Sequence, residues 1–172
     1  MRLILICFLA LALSGCGFQL RGATPLSPPL KRLYIETANP YGALTRNLRD
    51  YLKTSGVELT DTRENALTVL HIMNENQAQQ LLSVSGLQQT RQYSLTLSVT
   101  FEITAPNRKV LMPATTVVES RLLTSLSDQI LGSSNEQSTL YQQMRLAIVY
   151  DIMNRLGSRD VTTLLTETPK KP

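Results

Sequence analysis

The sequence predicts an α/β two-layer sandwich, in which two helices cover one face of a four-stranded, mostly antiparallel or mixed sheet. Apolar and polar residues alternate over residues 92–104, which is the two-residue period of a strand with one buried face. Two other segments carry apolar residues at every fourth position, which predicts amphipathic helices. The predicted order along the chain is β-α-β-β-β-α, and it favours two helices packed on one side of the sheet.

The first half of the domain is predicted to contain a strand, a helix and a second strand. Residues 31–37 (KRLYIET) form the first strand. Asn39-Pro40 favours a helix start, with asparagine as N-cap and proline at the first helical position, and Gly56 is suited to end that helix. Residues 66–74 (ALTVLHIMN) are apolar on both faces, which predicts a central strand. The apolar stripe of the helix consists of Leu44, Leu48 and Leu52.

The second half is predicted to contain two antiparallel strands and a helix. The polar face of residues 92–104 is almost wholly uncharged serine and threonine, typical of a solvated or partner-facing sheet surface. Residues 105–108 (APNR) form a turn, and residues 115–124 return as the fourth strand. Ser133 and Glu136 have the spacing of a capping box and predict the start of the last helix. Its apolar stripe consists of Leu140, Met144, Ile148 and Ile152.

The N-terminal residues have the features of an export signal that ends at a cysteine. Residues 3–13 (LILICFLALAL) form an apolar run after Arg2, shorter than the ~20 residues of a transmembrane helix. Residues 13–16 (LSGC) resemble the bacterial lipobox, in which the cysteine is lipidated and the chain is cut before it. The sequence therefore predicts no cofactor except a covalent diacylglycerol and an N-acyl chain on Cys16. An ordinary signal peptide with an unmodified cysteine is the alternative.

This interpretation divides the chain into four parts. Residues 1–15 are the signal peptide, residues 16–29 a lipidated tether rich in Gly and Pro, residues 30–165 a single domain, and residues 166–172 a flexible tail. Lipid chains hold such a protein at a membrane without a spanning helix. Because Gly17 is not the aspartate associated with inner-membrane retention, the outer membrane is the predicted location.

Charge and composition argue against several classes of function. The chain has 17 Lys and Arg residues against 13 Asp and Glu residues, and the mature part, which lacks Arg2, carries a net charge of +3. Basic blocks are absent and aromatic residues are few, which argues against nucleic-acid binding. The mild excess fits an ordinary solvated surface or an anionic envelope ligand such as a lipid phosphate. Once Cys16 is lipidated, no thiol remains for a disulfide.

No residue pattern indicates catalysis or metal binding. His71 is the only histidine and lies in the middle of an apolar strand, which favours a hydrogen-bonded sheet residue over a catalytic base. One histidine without a free cysteine does not supply the usual zinc ligands. Nucleotide-binding loops and nucleophile elbows are absent from the sequence. The protein is therefore predicted not to be an enzyme, with a carboxylate pair assembled in space as the alternative.

Two groups of surface residues are candidates for binding. Residues 77–91 are predicted to extend the second and third strands into a long hairpin around Gly86. Exposed apolar residues there indicate a partner, unless they fold back onto the sheet, and the candidates are Leu82, Val84 and Leu87. Each basic residue at a strand end or on the polar side of the sheet is by itself an ordinary solvated charge. As a group, these residues are candidates for binding phosphates. These are Arg91, Arg108, Lys109 and Arg121.

Several short motifs resemble one known family. Residues 16–22 (CGFQLRG) resemble the opening CGF-L-R-G of the LptE family of lipopolysaccharide-assembly lipoproteins. Weaker matches to that family follow in the same order and extend the resemblance over residues 16–160. They are Asn39-Pro40-Tyr41-Gly42, Gly56-Val57-Glu58-Leu59, Tyr93-Ser94-Leu95 and Asn135-Glu136-Gln137. The family's fold, two helices on a four-stranded sheet, is also the fold that the residue pattern predicts.

The resemblance implies a lipid-anchored outer-membrane protein that plugs the LptD β-barrel one-to-one, at the periplasmic face and in the barrel lumen. The two proteins would form the translocon that delivers lipopolysaccharide to the outer leaflet. Proteins similar to LptE assist barrel folding and bind lipopolysaccharide. The family's proposed ligand contacts are basic residues near the hairpin end of the sheet, where Arg91 fits, and on the second helix. There this chain has Gln142 or Gln143, with Arg145 as the nearest basic residue.

Two other functions remain open from the sequence. A pilot or adaptor lipoprotein for another outer-membrane assembly, such as a secretin, would share the anchor and the small domain. It would purify with a different barrel and would not bind lipopolysaccharide. A periplasmic hydrolase would need a nucleophile activated near His71, and its activity would be lost in His71→Ala.

Overall fold

The computed structural model describes residues 26–86, 90–126 and 130–166 of the chain. Over these residues it contains a mixed β-sheet, three α-helices and one turn of 3-10 helix. The 3-10 helix is Pro28–Lys31, and the other elements in chain order are β1 (Arg32–Thr37), α1 (Ala43–Thr54), β2 (Glu58–Leu59), β3 (Thr68–Val84), β4 (Thr90–Thr104), β5 (Val110–Leu126), α2 (Ile130–Leu156) and α3 (Arg159–Thr166). None of the helices in this part of the chain has the length and apolar character needed to cross a bilayer.

The sheet has five strands in the order β2-β1-β3-β4-β5. β1 runs parallel to both β2 and β3, whereas β4 runs antiparallel to its two neighbours, β3 and β5. The prediction of an α/β fold with a mixed sheet is confirmed, and the prediction of four strands is wrong. The missed strand is β2, in which Glu58 and Leu59 pair with Arg32 and Leu33. Two residues are too few to show a strand period in the sequence.

Both predicted helix starts differ from the structure. α1 begins after Gly42 as N-cap, and Asn39 lies in the preceding turn, where its carbonyl accepts a hydrogen bond from the Gly42 amide (3.2 Å). α2 begins at Ile130, so Ser133 and Glu136 lie inside the helix. A favourable cap sequence marks a site where a helix can begin, but burial of the flanking residues decides whether it does.

The prediction of two helices is also wrong, because α3 adds a third. α2 ends at Leu156, before Gly157, and the chain then begins α3 with Ser158 as its N-cap. The Ser158 hydroxyl accepts a hydrogen bond from the Val161 amide (3.4 Å), and its carbonyl accepts one from Thr162 (3.0 Å). α3 buries Val161 and Leu165 in the same core as the rest of the domain.

One hydrophobic core lies between the helices and the sheet. The leucine stripe of α1 and the apolar stripe of α2 are buried, except that Leu140 is only partly buried. The two helices also touch through Tyr51 and Tyr150, whose ring centroids lie 4.8 Å apart. The alternation predicted for β4 is confirmed, because every second residue is fully buried. These residues are Leu95, Leu97, Val99, Phe101 and Ile103.

The long strands project well beyond the short ones. β1 pairs with β3 only from Thr68 to Ile72, and β3 continues to Val84 at the hairpin. At the rise of a strand, these further residues correspond to ~40 Å. The chain enters the domain at the opposite end, where the Thr68 hydroxyl donates to the Pro29 carbonyl (3.0 Å). The domain therefore has a hairpin end and an opposite end, which we call the anchored end because the predicted lipidation site Cys16 precedes it in the sequence.

Replacing Gly56 with alanine is expected to destabilise the domain by about 1–2 kcal/mol. Gly56 has φ +79°, and its amide donates to Lys53 while the Val57 amide donates to Leu52, both at 3.0 Å, which closes α1. No atom lies within 4 Å of the added Cβ, so the cost comes from the backbone alone. Urea denaturation measures it. Gly56→Asn should cost less than half as much, because asparagine tolerates this conformation, and equal stability of Gly56→Ala and wild type would contradict the assignment.

Candidate functional site

Beyond His71 and Glu102, the side of the three long strands that faces away from the helices forms an uncharged surface, which we call the outer face. It is built by alternate residues of the three long strands, placed side by side by the strand register. Its members are Asn74, Asn76, Ala78 and Gln80 of β3, Gln92, Ser94, Thr96, Ser98 and Thr100 of β4, and Thr116, Val118, Ser120, Leu122 and Thr124 of β5. The uncharged polar face predicted for residues 92–104 is thus part of a wider three-stranded surface.

Hydroxyl groups on the outer face hydrogen-bond across strands. The Thr96 and Ser120 hydroxyls lie 3.3 Å apart, and those of Thr100 and Thr116 lie 2.9 Å apart. Such cross-strand pairs stabilise neighbouring strands and partly satisfy groups that would otherwise need water. Two large apolar residues, Val118 (55 % exposed) and Leu122 (61 % exposed), stand on the same face. A polar surface with satisfied hydroxyls and exposed apolar side chains is suited to contact another macromolecule.

The apolar residues near the hairpin are exposed, as the partner hypothesis requires. Leu82 is 50 % exposed and Val84 is 43 % exposed, so neither folds back onto the sheet. Leu81 beside them is also half exposed, although the sequence analysis did not select it. Leu87 and the predicted lipidation site Cys16 lie outside the described residues.

The four basic candidates do not form one cluster. Arg91 lies at the start of β4 near the hairpin, whereas Arg108 and Lys109 lie in the β4–β5 turn at the anchored end. Thirteen residues of β4 separate Arg91 from Thr104, which corresponds to ~43 Å along the strand. A shared phosphate site for all four is therefore ruled out by distance.

Arg121 lies on the helix side of the sheet, and its expected position on the polar side is wrong. Its partner in the register is Leu95, a core residue, and its guanidinium lies 3.9 Å from the Glu119 carboxylate. Half of the side chain is exposed, and Arg121 lies on β5, the edge strand of the sheet. Arg91 pairs with Ser125 on the same side, four strand positions from Arg121, or ~13 Å.

Arg145 forms a structural contact that the sequence did not reveal. Its guanidinium donates to the Glu75 carboxylate at 2.8 Å, and both side chains are largely buried. One and two turns earlier on α2, Tyr141 donates to the Ala78 carbonyl and Gln137 donates to Gln79, both at 3.0 Å. These bonds fix α2 along the free edge of β3. Arg145 therefore forms an ion pair that links α2 to β3. Gln142 and Gln143, by contrast, are exposed.

His71 is a hydrogen-bonded sheet residue, as predicted. Its Nδ1 lies 3.0 Å from the Glu102 carboxylate on the neighbouring strand. Glu36, which pairs with His71 in the register on the other side, forms an ion pair with Arg63. Among the described residues, no group of histidine, cysteine, aspartate and glutamate side chains could hold a metal ion. Strand pairing places Glu36, His71 and Glu102 side by side, and their polar groups interact as described.

Solved structures of several bacterial lipoproteins share this fold. Lipoprotein B from Nitrosomonas europaea superposes with a TM-score of 0.67 at 22% identity and covers 88% of this chain and 94% of its own. A minor lipoprotein from Acinetobacter baumannii gives a TM-score of 0.63, also at 22% identity, over 77% of this chain and 93% of its own. The architecture is thus one that lipoproteins use.

Sequence comparisons identify the family. The LPS-assembly lipoprotein LptE of Photorhabdus laumondii is 30% identical over 147 residues, which is 83% of this chain and 77% of that protein. The LptE of Pectobacterium atrosepticum is 27% identical over 161 residues, which is 90% of this chain and 86% of that protein. The model of the LptE family, described as lipopolysaccharide-assembly, matches residues 30–156. This chain therefore belongs to the LptE lipopolysaccharide-assembly family.

Proposed function

We propose that this chain is a non-catalytic lipoprotein of the outer membrane that serves lipopolysaccharide assembly. Acyl chains on Cys16 hold it at the inner leaflet. The domain docks in the lumen of an LptD-type β-barrel, one copy per barrel, and helps that barrel to assemble. It also binds lipopolysaccharide for delivery to the outer leaflet. Support comes from family membership and from relatives that carry the name LPS-assembly lipoprotein.

The outer face is the observation that carries the docking proposal. The interior of a membrane β-barrel is polar, so a protein that docks there needs a polar contact surface. Moving an uncharged hydroxyl or amide out of water costs less free energy than moving a charge. The hydroxyl pairs of Thr96 with Ser120 and of Thr100 with Thr116 are, in addition, already hydrogen-bonded to each other. The outer face therefore combines a polar composition with a low cost of burial.

The length of the projecting strands also fits a barrel. Beyond β1, β3 and its neighbours continue for ~40 Å, and the apolar band of an outer-membrane barrel is ~25 Å tall. A domain inserted with its strands along the barrel axis would reach through that band. The exposed Leu82 and Val84 at the hairpin end would then lie at the far end of the lumen, where they are available for an apolar contact with the partner.

Lipopolysaccharide binding is assigned to the basic residues nearest the hairpin end. Arg91 and Arg121 share one side of the sheet and are exposed, and their separation of ~13 Å along the strands suits two separate phosphates better than one. Arg108 and Lys109 lie at the other end and do not contribute to this site. Arg145 is paired with Glu75 and is excluded as well.

Reversing both charges in Arg91→Glu/Arg121→Glu is expected to weaken lipopolysaccharide binding by the purified lipoprotein at least tenfold. The loss of two charge-assisted contacts to phosphate is the reason. Arg46→Glu/Arg49→Glu on α1 changes the net charge equally and should alter binding less than twofold. Both variants should unfold at a temperature close to that of the wild type. In Arg91→Glu/Arg121→Glu, the ion pair that is lost, Arg121–Glu119, is exposed and weak. Equal binding by both double variants would contradict the assignment.

Photo-cross-linking tests the docking proposal in the cell envelope. A photoreactive residue at Ser98 lies in the middle of the outer face, and one at Asn107 lies at the anchored end. We expect Ser98 to yield a cross-link to an LptD-type barrel, identified by mass spectrometry, and Asn107 to yield much less. A cross-link from Ser98 to a secretin would favour a pilot lipoprotein, and the absence of any cross-link from Ser98 would contradict docking through the outer face.

A further inference from the structure

We propose that the anchored end of the domain is a membrane-docking surface that contacts anionic lipid headgroups. The surface, which we call the basic end, consists of Lys31, Arg108 and Lys109. Its partner is the leaflet that holds the lipids on Cys16, so the inference rests on the proposed lipidation. Before the domain docks in a barrel, the basic end would orient it on the bilayer with its hairpin directed away from the headgroups.

The strand register brings these three residues to one end of the sheet. Leu33 of β1 pairs with Thr68, and Thr104 of β4 pairs with Val69, so the start of β1 and the end of β4 lie at the same level. Lys31 precedes β1 directly. Arg108 and Lys109 follow β4 in the turn to β5. With ~4.8 Å between strands, the two basic positions lie ~10–15 Å apart across the end of the sheet.

The charges at the basic end are available for a partner. Lys31, Arg108 and Lys109 are exposed, and none of them forms an ion pair with another residue in the described parts of the chain. Arg32 beside them differs, because it lies 3.8 Å from Glu58. Three unpaired basic side chains at one end of a domain with a small net charge give that end a local positive potential.

The conformation of the turn supports a role for its arginine. Arg108 has φ +67°, the left-handed region that favours glycine, and its amide donates to the Ala105 carbonyl (2.9 Å). A second backbone bond from Ala105 to the Lys109 carbonyl (2.8 Å) closes the turn. Glycine would form this turn with less strain, so the turn carries a basic side chain at a conformational cost. Such outliers indicate a function for the side chain.

The opposite end of the domain has a contrasting composition. Residues 76–86 on the hairpin contain no charged residue, and Leu82 and Val84 there are exposed. An anionic leaflet attracts basic groups within about a Debye length of its surface. On the other strand of the hairpin Arg91 is exposed and has no ion pair among the described residues, as against three such residues at the basic end. The electrostatic attraction is therefore stronger at the basic end, which is also the end to which the lipid tether is attached.

The tether alone does not fix this orientation. Nine residues separate Cys16 from Leu26, the first described residue, and ten extended residue steps span up to ~35 Å. The length of the tether therefore does not by itself impose one orientation on the domain. Each Lys or Arg at an anionic surface strengthens the contact about fivefold, so three of them would bias the orientation strongly.

Fluorescence quenching in vesicles tests the inference on the lipidated full chain without a barrel. Val110→Cys, next to Lys109, and Gly86→Cys, at the hairpin, each provide a single thiol for a fluorophore, because Cys16 is acylated. Vesicles of phosphatidylethanolamine with about a quarter phosphatidylglycerol carry a quencher on the headgroups. We expect the Val110 probe to be quenched at least threefold more than the Gly86 probe. In phosphatidylcholine vesicles or in 0.5 M salt the ratio should fall at least twofold, although the tether still holds the Val110 end nearer the headgroups.

Charge variants provide the matched control. Arg108→Gly/Lys109→Gln should lower the quenching ratio at least twofold, and Gly is compatible with the turn at position 108. Arg46→Gln/Arg49→Gln removes the same charge from α1 and should leave the ratio unchanged. Equal quenching of both probes in anionic vesicles, with the chain floating on the vesicles, would overturn the docking surface alone. A chain that does not float would overturn lipid anchoring through Cys16, and the docking surface with it.

Discussion

Replacing Ser98 with arginine is expected to reduce recovery of an LptD-type barrel with this chain at least tenfold. Ser98 lies on the central long strand of the outer face, between Asn76 of β3 and Val118 of β5. If this face contacts the barrel wall, the arginine must either leave water without a partner or hold the two surfaces apart. Burying an unpaired charge costs several kcal/mol, which is enough to lower the affinity by two or more powers of ten. Affinity purification from detergent-solubilised outer membranes measures the effect.

Two control variants separate loss of contact from loss of fold. Ser98→Thr keeps a hydroxyl and suits a strand, so recovery of the barrel should stay within twofold of wild type. Thr54→Arg adds the same charge at the C-terminal end of α1, where the helix dipole favours it and the outer face is remote. Equal recovery with Ser98→Arg and Thr54→Arg would contradict docking through the outer face.

Truncation of Phe101 to alanine is expected to destabilise the domain by about 3–5 kcal/mol. Phe101 is fully buried on β4, and its strand neighbours in the register are Ile72 and Thr115. A domain of this size has a total stability of about 5–15 kcal/mol, so the variant should unfold at a much lower urea concentration. Thr100→Ala on the other side of the same strand loses one exposed hydroxyl pair and should cost at most about 1 kcal/mol. Similar costs for the two variants would contradict the assignment of faces.

Elements with a long repeated pattern were predictable from the sequence. The alternation over residues 92–104 identified β4 and the side on which Phe101 is buried, because each added residue confirms the same period. The leucines of α1 and the apolar stripe of α2 gave the helical faces in the same way. β3 was predicted only as residues 66–74, since its projecting part is exposed on most sides and lacks a buried face. Its extension into a hairpin was nevertheless expected.

Short elements and helix starts were not predictable from local patterns. β2 consists of Glu58 and Leu59, which become a strand only because the edge of β1 is open beside them. The residues of α3 were placed within the predicted domain, but no helix was predicted for them. The Ser158 cap and two buried side chains stabilise this helix. Position 133 has a capping sequence, yet α2 begins earlier. For β2 and α3, contacts with the rest of the domain supply what the local pattern lacks.

The candidate site depended on information that a linear sequence does not contain. The serines and threonines of one strand suggested a partner-facing surface, but β3 and β5 complete it only through the register. The strand register also shows that the basic candidates are far apart, because Arg91 and Lys109 lie at opposite ends of the long strands. The ion pair between Arg145 and Glu75 joins residues 70 positions apart, and no local pattern indicates it. His71 was the exception, because its position in a strand predicted a hydrogen-bonded role.

Affinity purification of the wild-type, full-length lipoprotein tests the central claim most directly. The protein is isolated from detergent-solubilised outer membranes, and the proteins that accompany it are identified and quantified by mass spectrometry. Our account predicts one large β-barrel of the LptD type in a one-to-one ratio with this chain. Recovery of a secretin in its place, or of the lipoprotein with no stoichiometric barrel, would contradict it.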